Sequence, residues 1–408
     1  VATAYPGTPS SEIMETLLEA ADKIDLYAQW SINEKVAFDM AAGASLTGVR
    51  AMSSMKSAGL NVAMDLFMTL PYGGVRGGLV IAVADDPLPS YSSSAQDSRV
   101  AAEWAQILCL EPENQQEAKD MTKAAFLLSE QFELPVMVRV IGSLSHSSGV
   151  VVLGEIEPSG LQQGFNKHWK LDYRWGVHGL PGAGAEHVKH LLRNQYPHAE
   201  FPPLGKSGWK QAWLASRFPF LREASDDCEF NNLEKGELPI GVVASGMGAA
   251  YMREAIQDLD IEGKLWFLKV GVVHPLPREK ALLLMNSCKQ LLVIENGAPV
   301  IERQLRSIAQ ENNLSIEIRG RMFDAAIAPY GDVEVNLVRQ LIARFIGRDT
   351  IKNQQRSQIK EALSTLAIPR SSTLCAGCPH MGSYIALRRA MKLTSKDVPI
   401  INVDIGCY

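Results

Sequence analysis

Residues Gly78–Ala84 read Gly-Leu-Val-Ile-Ala-Val-Ala, an unbroken apolar run bounded by turn residues. Successive side chains of a strand point to opposite faces, so a strand apolar at every position is buried on both. That is the pattern of a strand inside a parallel sheet. Parallel neighbours need crossover connections, usually helices, so this one segment commits its surroundings to an α/β arrangement.

The flanking sequence supplies the alternation. Val1–Tyr5 reads as a strand, and the turn Pro6-Gly7-Thr8-Pro9 starts a helix running to about Ala21. Tyr27–Ile32 reads as a strand and Glu34–Leu46 as a helix. Ala118, Met121, Ala125, Leu128 and Phe132 share one helical face, and Pro135–Ile141 is the next strand. Residues 1–154 are therefore expected to form an open α/β sheet domain. Residues 155–237 differ: they hold four of the seven tryptophans and five of the eight histidines, with broken periodicity. They read as an irregular connection with some helix, and the unevenly spaced histidines as surface or packing residues.

Residues 238–346 return to alternation, with strands at Leu238–Ala244, Trp266–Val272, Gln290–Ile294 and Ser315–Ile318 and a final helix at about Val333–Phe345. This is read as a second compact α/β domain. Residues 347–366 read as a linker, beginning with the polar run Gly347–Lys360. A third unit, 367–408, is only begun: a loop with Cys375 and Cys378, a helix at Gly382–Met391 and a strand at Val398–Val403.

Composition narrows the function. The net charge is −5, and no Lys/Arg run is long enough to track phosphates, which argues against nucleic acid. No apolar stretch is long enough to span a bilayer, and no secretion signal is visible. Six irregularly spaced cysteines in 408 residues do not form a disulfide framework, so a reducing cytoplasm is expected.

Four places carry candidate chemistry. Thr8 reads as a helix N-cap with Pro9 at the first helical position, and Ser10 and Ser11 add hydroxyls beside free N–H groups. The plain reading is a capped helix; the functional one is a carboxylate-binding turn at a ligand-facing sheet edge. Asn33-Glu34 opens the second helix, either as a cap with a first-turn acid or as a buried carboxyl for acid/base work. Asp85-Asp86-Pro87 ends the apolar strand, where turn residues are the commoner explanation than a metal or acid/base site. Cys375-x-x-Cys378, with Cys407 one strand–helix unit later, suits an iron–sulfur cluster or zinc; two incidental thiols are the bland alternative. A redox dithiol fits less well, because Pro379 follows the second cysteine.

Several of these residues fall in longer motifs. Tyr5-Pro6-Gly7-Thr8-Pro9-Ser10-Ser11-Glu12-Ile13, Asn33-Glu34-Lys35-Val36-Ala37 and Ala44-Ser45-Leu46-Thr47-Gly48 closely resemble the start of the alpha subunit of indolepyruvate:ferredoxin oxidoreductases. Met55-Lys56-x-x-Gly59-Leu60-Asn61, Gln96-Asp97-Ser98-Arg99 and Ser145-His146-Ser147 continue the resemblance in the same order. So do Gly271-Val272-Val273-His274-Pro275-Leu276-Pro277, Cys375-x-Gly377-Cys378-Pro379-His380 and Asp404-Ile405-Gly406-Cys407-Tyr408. The resemblance covers nearly the whole chain and is weakest over 160–235. The chain is expected to be a piece of such a subunit, lacking both ends.

The resemblance implies a thiamine-diphosphate-dependent 2-oxoacid:ferredoxin oxidoreductase. It implies a pyrimidine-binding domain, a domain like the transketolase C-terminal one, and the start of a diphosphate-binding domain. Glu34 matches the glutamate that hydrogen-bonds the aminopyrimidine, Thr8 the threonine that meets the substrate carboxylate, with Ser10 and Ser11 beside it. Cys375, Cys378 and Cys407 match three ligands of a [4Fe–4S] cluster. Implied cofactors are thiamine diphosphate, Mg²⁺ and [4Fe–4S] clusters. Implied partners are a smaller second subunit, ferredoxin, coenzyme A and a 2-oxoacid, with indolepyruvate as the type substrate. Three positions depart from the family's usual residues: Ser57, Ser90 and Ala95 stand where pocket groups are expected. The competing readings are the same chemistry on a different 2-oxoacid, or a non-catalytic metal-binding scaffold.

Overall fold

The computed structural model describes residues 1–88, 94–155, 183–201, 206–322, 326–348, 354–366 and 377–394. The expected strand at Val398–Val403, the residues Ser90, Cys375 and Cys407, and the tryptophans Trp169 and Trp175 lie outside these. The chain divides into two compact units, Val1–Arg348 and Asp349–Tyr408.

The strands of the first unit are β1 (Ala2–Ala4), β2 (Ala28–Trp30), β3 (Ala51–Lys56), β4 (Leu79–Asp85), β5 (Cys109–Leu110), β6 (Val136–Ile141), β7 (Asn232–Glu234), β8 (Ile240–Ser245), β9 (Trp266–Val270), β10 (Val272–His274), β11 (Gln290–Ile294) and β12 (Glu317–Arg319). They form two sheets, ordered β10-β5-β6-β4-β3-β1-β2 and β12-β11-β8-β9-β7. Every pairing is parallel except β10 with β5 and β7 with β9.

The apolar run behaves as its composition requires. All seven residues of β4 are buried, between β3 and β6. Leu79, Ile81 and Val83 enter one core cluster and Val80 the other, as alternation dictates. The first cluster also contains Val243, Leu268 and Val293 of the second sheet, so one apolar core joins both sheets.

One strand differs from expectation. Trp266–Val272 reads as a single strand of the second domain, but the chain changes sheets at Gly271. β9 stays in the second sheet while β10 pairs with β5 at the edge of the first. Gly271 sits too tightly for a side chain: a Cβ there would lie 2.6 Å from Phe230 O and 2.8 Å from Met121 Cε. The Asn231 side chain accepts hydrogen bonds from both Gly271 N and Val272 N, at 2.7 and 2.9 Å, which fixes the crossing.

The stretch read as an irregular connection contains two long helices, Ala183–Gln195 and Lys206–Asp227. Trp213, Leu214 and Leu221 of the second are buried in the core cluster that holds Met121 and Val136. In the second unit, helix Gln354–Leu366 occupies part of the expected linker, and helix Pro379–Thr394 includes the expected Gly382–Met391. Among the described residues, no helix is long and apolar enough to cross a membrane.

Candidate active site

The carboxyl ends of β1 and β3, with the start of the helix after β2, bring Gly7, Thr8, Glu34, Lys56 and Gly59 to one sheet edge. The edge is built locally. Helix Glu34–Leu46 starts where Asn33 caps it, its side-chain oxygen accepting from Val36 N at 2.8 Å. That cap places Glu34 in the first turn with the residue only 7% exposed.

Glu34 is held by shape. A Cβ on Gly59 would lie 2.5 Å from Glu34 Oε1 and 2.8 Å from Cδ, so the carboxyl rests against a bare backbone. Burial pushes the Glu34 carboxyl above the usual carboxylate range, against opposing effects of its own backbone N–H and of Lys56. No other protein side chain hydrogen-bonds it among the described residues. A buried carboxyl with a raised pKa and no ionic partner within hydrogen-bond reach can share a proton with a ring nitrogen. The residues present thus fit the aminopyrimidine end of a thiamine cofactor.

The turn after β1 is organised differently from expectation. The helix begins at Ser11, Ser10 occupies the N-cap position, and Thr8 caps nothing. The reason is local hydrogen bonding: Ser10 Oγ donates to Gly7 O at 2.7 Å, and Ser11 Oγ accepts from Gly7 N at 2.9 Å. The two serines close the turn on Gly7, and the Ser10 proton is spent there. Thr8 is left half-buried, with no hydrogen-bond partner for its hydroxyl among the described residues. The Lys56 stem passes beside Gly7, where a Cβ would meet its Cδ at 3.1 Å. Lys56 was legible only as part of a motif; its place beside Glu34 and Gly7 comes from the structure.

Asp85 belongs to another assembly. Arg139 of β6 donates to Asp85 Oδ2 at 2.8 Å and to Glu111 Oε1 at 2.5 Å. Arg99 donates to Asp97 Oδ1 at 2.9 Å and to Glu295 Oε2 at 3.0 Å. Ser98 donates from both N and Oγ to Asp85, and Ser245 donates to Glu111. Both arginines are fully buried. Burial drives the Asp85 carboxyl up to about 6, though Arg139 opposes it. For Asp97 burial acts in the same sense, but Arg99 and Arg139 outweigh it and hold the carboxyl far below the usual range. These groups come from β4, β6 and β8, from the residues just after β5 and β11, and from the start of helix Ser98–Ala105, so the network fastens the two sheets together. Beside Asp85 and the Asp97-Ser98-Arg99 motif, a further legible signal is Arg139, a lone cation in the apolar strand Val-Met-Val-Arg-Val-Ile.

The cysteines divide. Cys109 and Cys288 are buried free thiols, and Cys228 and Cys378 are free and partly buried. Among the described residues, no three His, Cys, Asp or Glu side chains gather as a metal-holding group. Cys375 and Cys407 lie outside those residues.

Residues 1–174 match the family described as pyruvate flavodoxin/ferredoxin oxidoreductase, thiamine diP-bdg. Over its whole length the chain is 36% identical to the indolepyruvate oxidoreductase subunit IorA of Pyrococcus horikoshii, and spans 58% of that protein. It is 34% identical to the subunit of the same name from Methanothermobacter thermautotrophicus, spanning 60% of it. Pyruvate synthase subunit PorA of Thermotoga maritima is 24% identical over 87% of this chain and 92% of its own length. Among solved structures, a 2-oxoglutarate:ferredoxin oxidoreductase from Magnetococcus marinus superposes with a TM-score of 0.60 at 16% identity. That match covers 85% of this chain and 62% of the other and shows a shared α/β fold.

Proposed function

We propose that the chain is part of an alpha subunit of the 2-oxoacid:ferredoxin oxidoreductase family and that it oxidatively decarboxylates an aryl pyruvate such as indolepyruvate. The acyl product goes to coenzyme A and the electrons to ferredoxin, in an assembly with a smaller second subunit. The observation that carries this reading is Glu34, a buried carboxyl against Gly59 with no side-chain hydrogen-bond partner among the described residues.

Thiamine diphosphate, when bound, supplies the electron sink that decarboxylation of a 2-oxoacid requires. The chain's own residues hold and orient. Glu34 shares a proton with the aminopyrimidine ring nitrogen. Thr8, whose hydroxyl is uncommitted, donates to the substrate carboxylate, and Lys56 adds positive charge at the same edge. Ser10 and Ser11 keep the turn in shape and so set where Thr8 stands. Cys375, Cys378 and Cys407 ligate a [4Fe–4S] cluster, and Mg²⁺ accompanies the diphosphate.

The test is Glu34→Gln in the full-length alpha subunit assembled with its partner. 2-Oxoacid oxidation is expected to fall by about 10²–10⁴-fold. The thermal midpoint should hold or rise, because the substitution removes a buried charge that has no ionic partner. More than half of wild-type turnover would reject the role. Iron and sulfide in the anaerobically purified protein support the cluster; zinc in their place would favour a scaffold.

A further inference from the structure

Helix Ser57–Gly73 and helix Ser98–Ala105 lie side by side, and the groove between them holds a cavity of about 200 Å³. Its apolar walls are Leu60, Met64, Ala101 and Trp104. The amide of Asn61 donates to Gln96 Oε1 at 2.8 Å and bridges the groove. Ser57 completes the lining. It is 3% exposed, and its Oγ has no hydrogen-bond partner among the described residues.

Two features mark this as a built site. Buried hydroxyls are normally paired, and an unpaired one is costly unless something else completes its bond. Ser57 also stands at the reaction edge. It follows Lys56 directly, and two residues later Gly59 touches the Glu34 carboxyl. The volume is below the roughly 300–1,000 Å³ that accommodates a whole ligand, so it suits one substituent of a larger one. Trp104, 69% exposed, offers an aromatic face at the opening.

We propose that this cavity receives the aryl side chain of the 2-oxoacid, and that Ser57 determines specificity by accepting a hydrogen bond from a donor on the ring. An indole N–H or a phenol O–H has that chemistry; an unsubstituted phenyl ring does not. The inference rests on the 2-oxoacid reading above and adds the part of the protein that selects among 2-oxoacids.

The test uses the full-length alpha subunit with its partner subunit, as wild type, Ser57→Ala and Met64→Trp. In Ser57→Ala, kcat/KM for indolepyruvate and 4-hydroxyphenylpyruvate should fall about five- to tenfold, with phenylpyruvate changed by less than about twofold. Met64→Trp fills the cavity from its half-exposed side and should lower all three by at least about tenfold. Calorimetric titration with indolelactate, which has no keto carbon, reads binding apart from turnover. Its affinity should weaken in both variants. Equal losses for all three 2-oxoacids in Ser57→Ala would make Ser57 a structural residue and overturn the proposal. So would unchanged values, or indolelactate binding that ignores Met64→Trp or is absent from wild type. A wild type that oxidises no 2-oxoacid yet binds indolelactate in a Met64-sensitive way would reject the reaction and keep the cavity.

Discussion

Glu34 and Asp85 are both buried carboxyls near carboxyl ends of strands in the same sheet, and burial raises the pKa of both. Their surroundings differ. Asp85 Oδ2 accepts from Arg139, from Ser98 N and from Ser98 Oγ, within a network of two arginines and four acids, while its Oδ1 has no hydrogen-bond partner among the described residues. Among the described residues, Glu34 has only its own backbone N–H, a more distant Lys56 and the bare face of Gly59. A carboxyl paired with a buried arginine holds the fold together. One kept buried with no ion pair in hydrogen-bond reach is available to a ligand.

That contrast can be broken from the structural side first. Arg139→Gln removes the ion partner of Asp85 and leaves Glu111 with Arg99 alone, at 3.6 Å, so one buried acid is left uncompensated. Breaking a buried pair by removing one member typically costs about 3–5 kcal/mol. Denaturant unfolding of the variant should show a loss of that order. A loss under about 1 kcal/mol would mean the network contributes little, and that the apolar core shared by the two sheets suffices.

The opposite experiment strikes function and spares the fold. An added Cβ at Gly59 would lie 2.5 Å from Glu34 Oε1, so something must move. The atom in the way is the end of a flexible side chain, and the carboxyl swings aside at little cost in stability. Alanine also favours a helix by about 1 kcal/mol over glycine, which offsets the disturbance. Gly59→Ala should therefore unfold within about 1 kcal/mol of wild type while turnover falls on the order of 10²-fold, as for a catalytic group misplaced by about 1 Å. Parallel loss of stability and activity would show that Gly59 serves packing instead.

The two regions were unequally legible. Glu34 and its helix could be read because capping is local: Asn33 followed by an acid and an apolar face specifies a helix start within four residues. β4 could be read because its composition leaves one environment open to it. Thr8 was misread as a cap because Ser10 and Ser11 compete for the same turn, and their bonds to Gly7 decide which residue sits at the N-cap. The network was hidden because its members are scattered from Asp85 to Glu295, and only Arg139 looks out of place in its own strand. The sheet change at Gly271 was hidden for a similar reason. β9 and β10 are continuous in pattern, and the partner that separates them, Asn231, lies 40 residues away.

The smallest effect concerns pH. Asp85 carries a native pKa of about 6 against an ordinary value of 3.8, so the native state holds this proton more tightly than the unfolded chain. Between about pH 4 and 6 the native state binds more protons through this group, and stability falls as pH rises across that window. The contribution is fully present below the unfolded value and lost above the native one. Asp85→Asn abolishes the titration. It weakens the contact with Arg139 at every pH, but its stability relative to wild type should improve as pH rises from 4 to 7, by about 2 kcal/mol. Unfolding free energies at several pH values across that range read the difference directly. A gap between wild type and variant that stays constant would show that Arg139 keeps Asp85 ionised throughout, and that its burial is fully compensated.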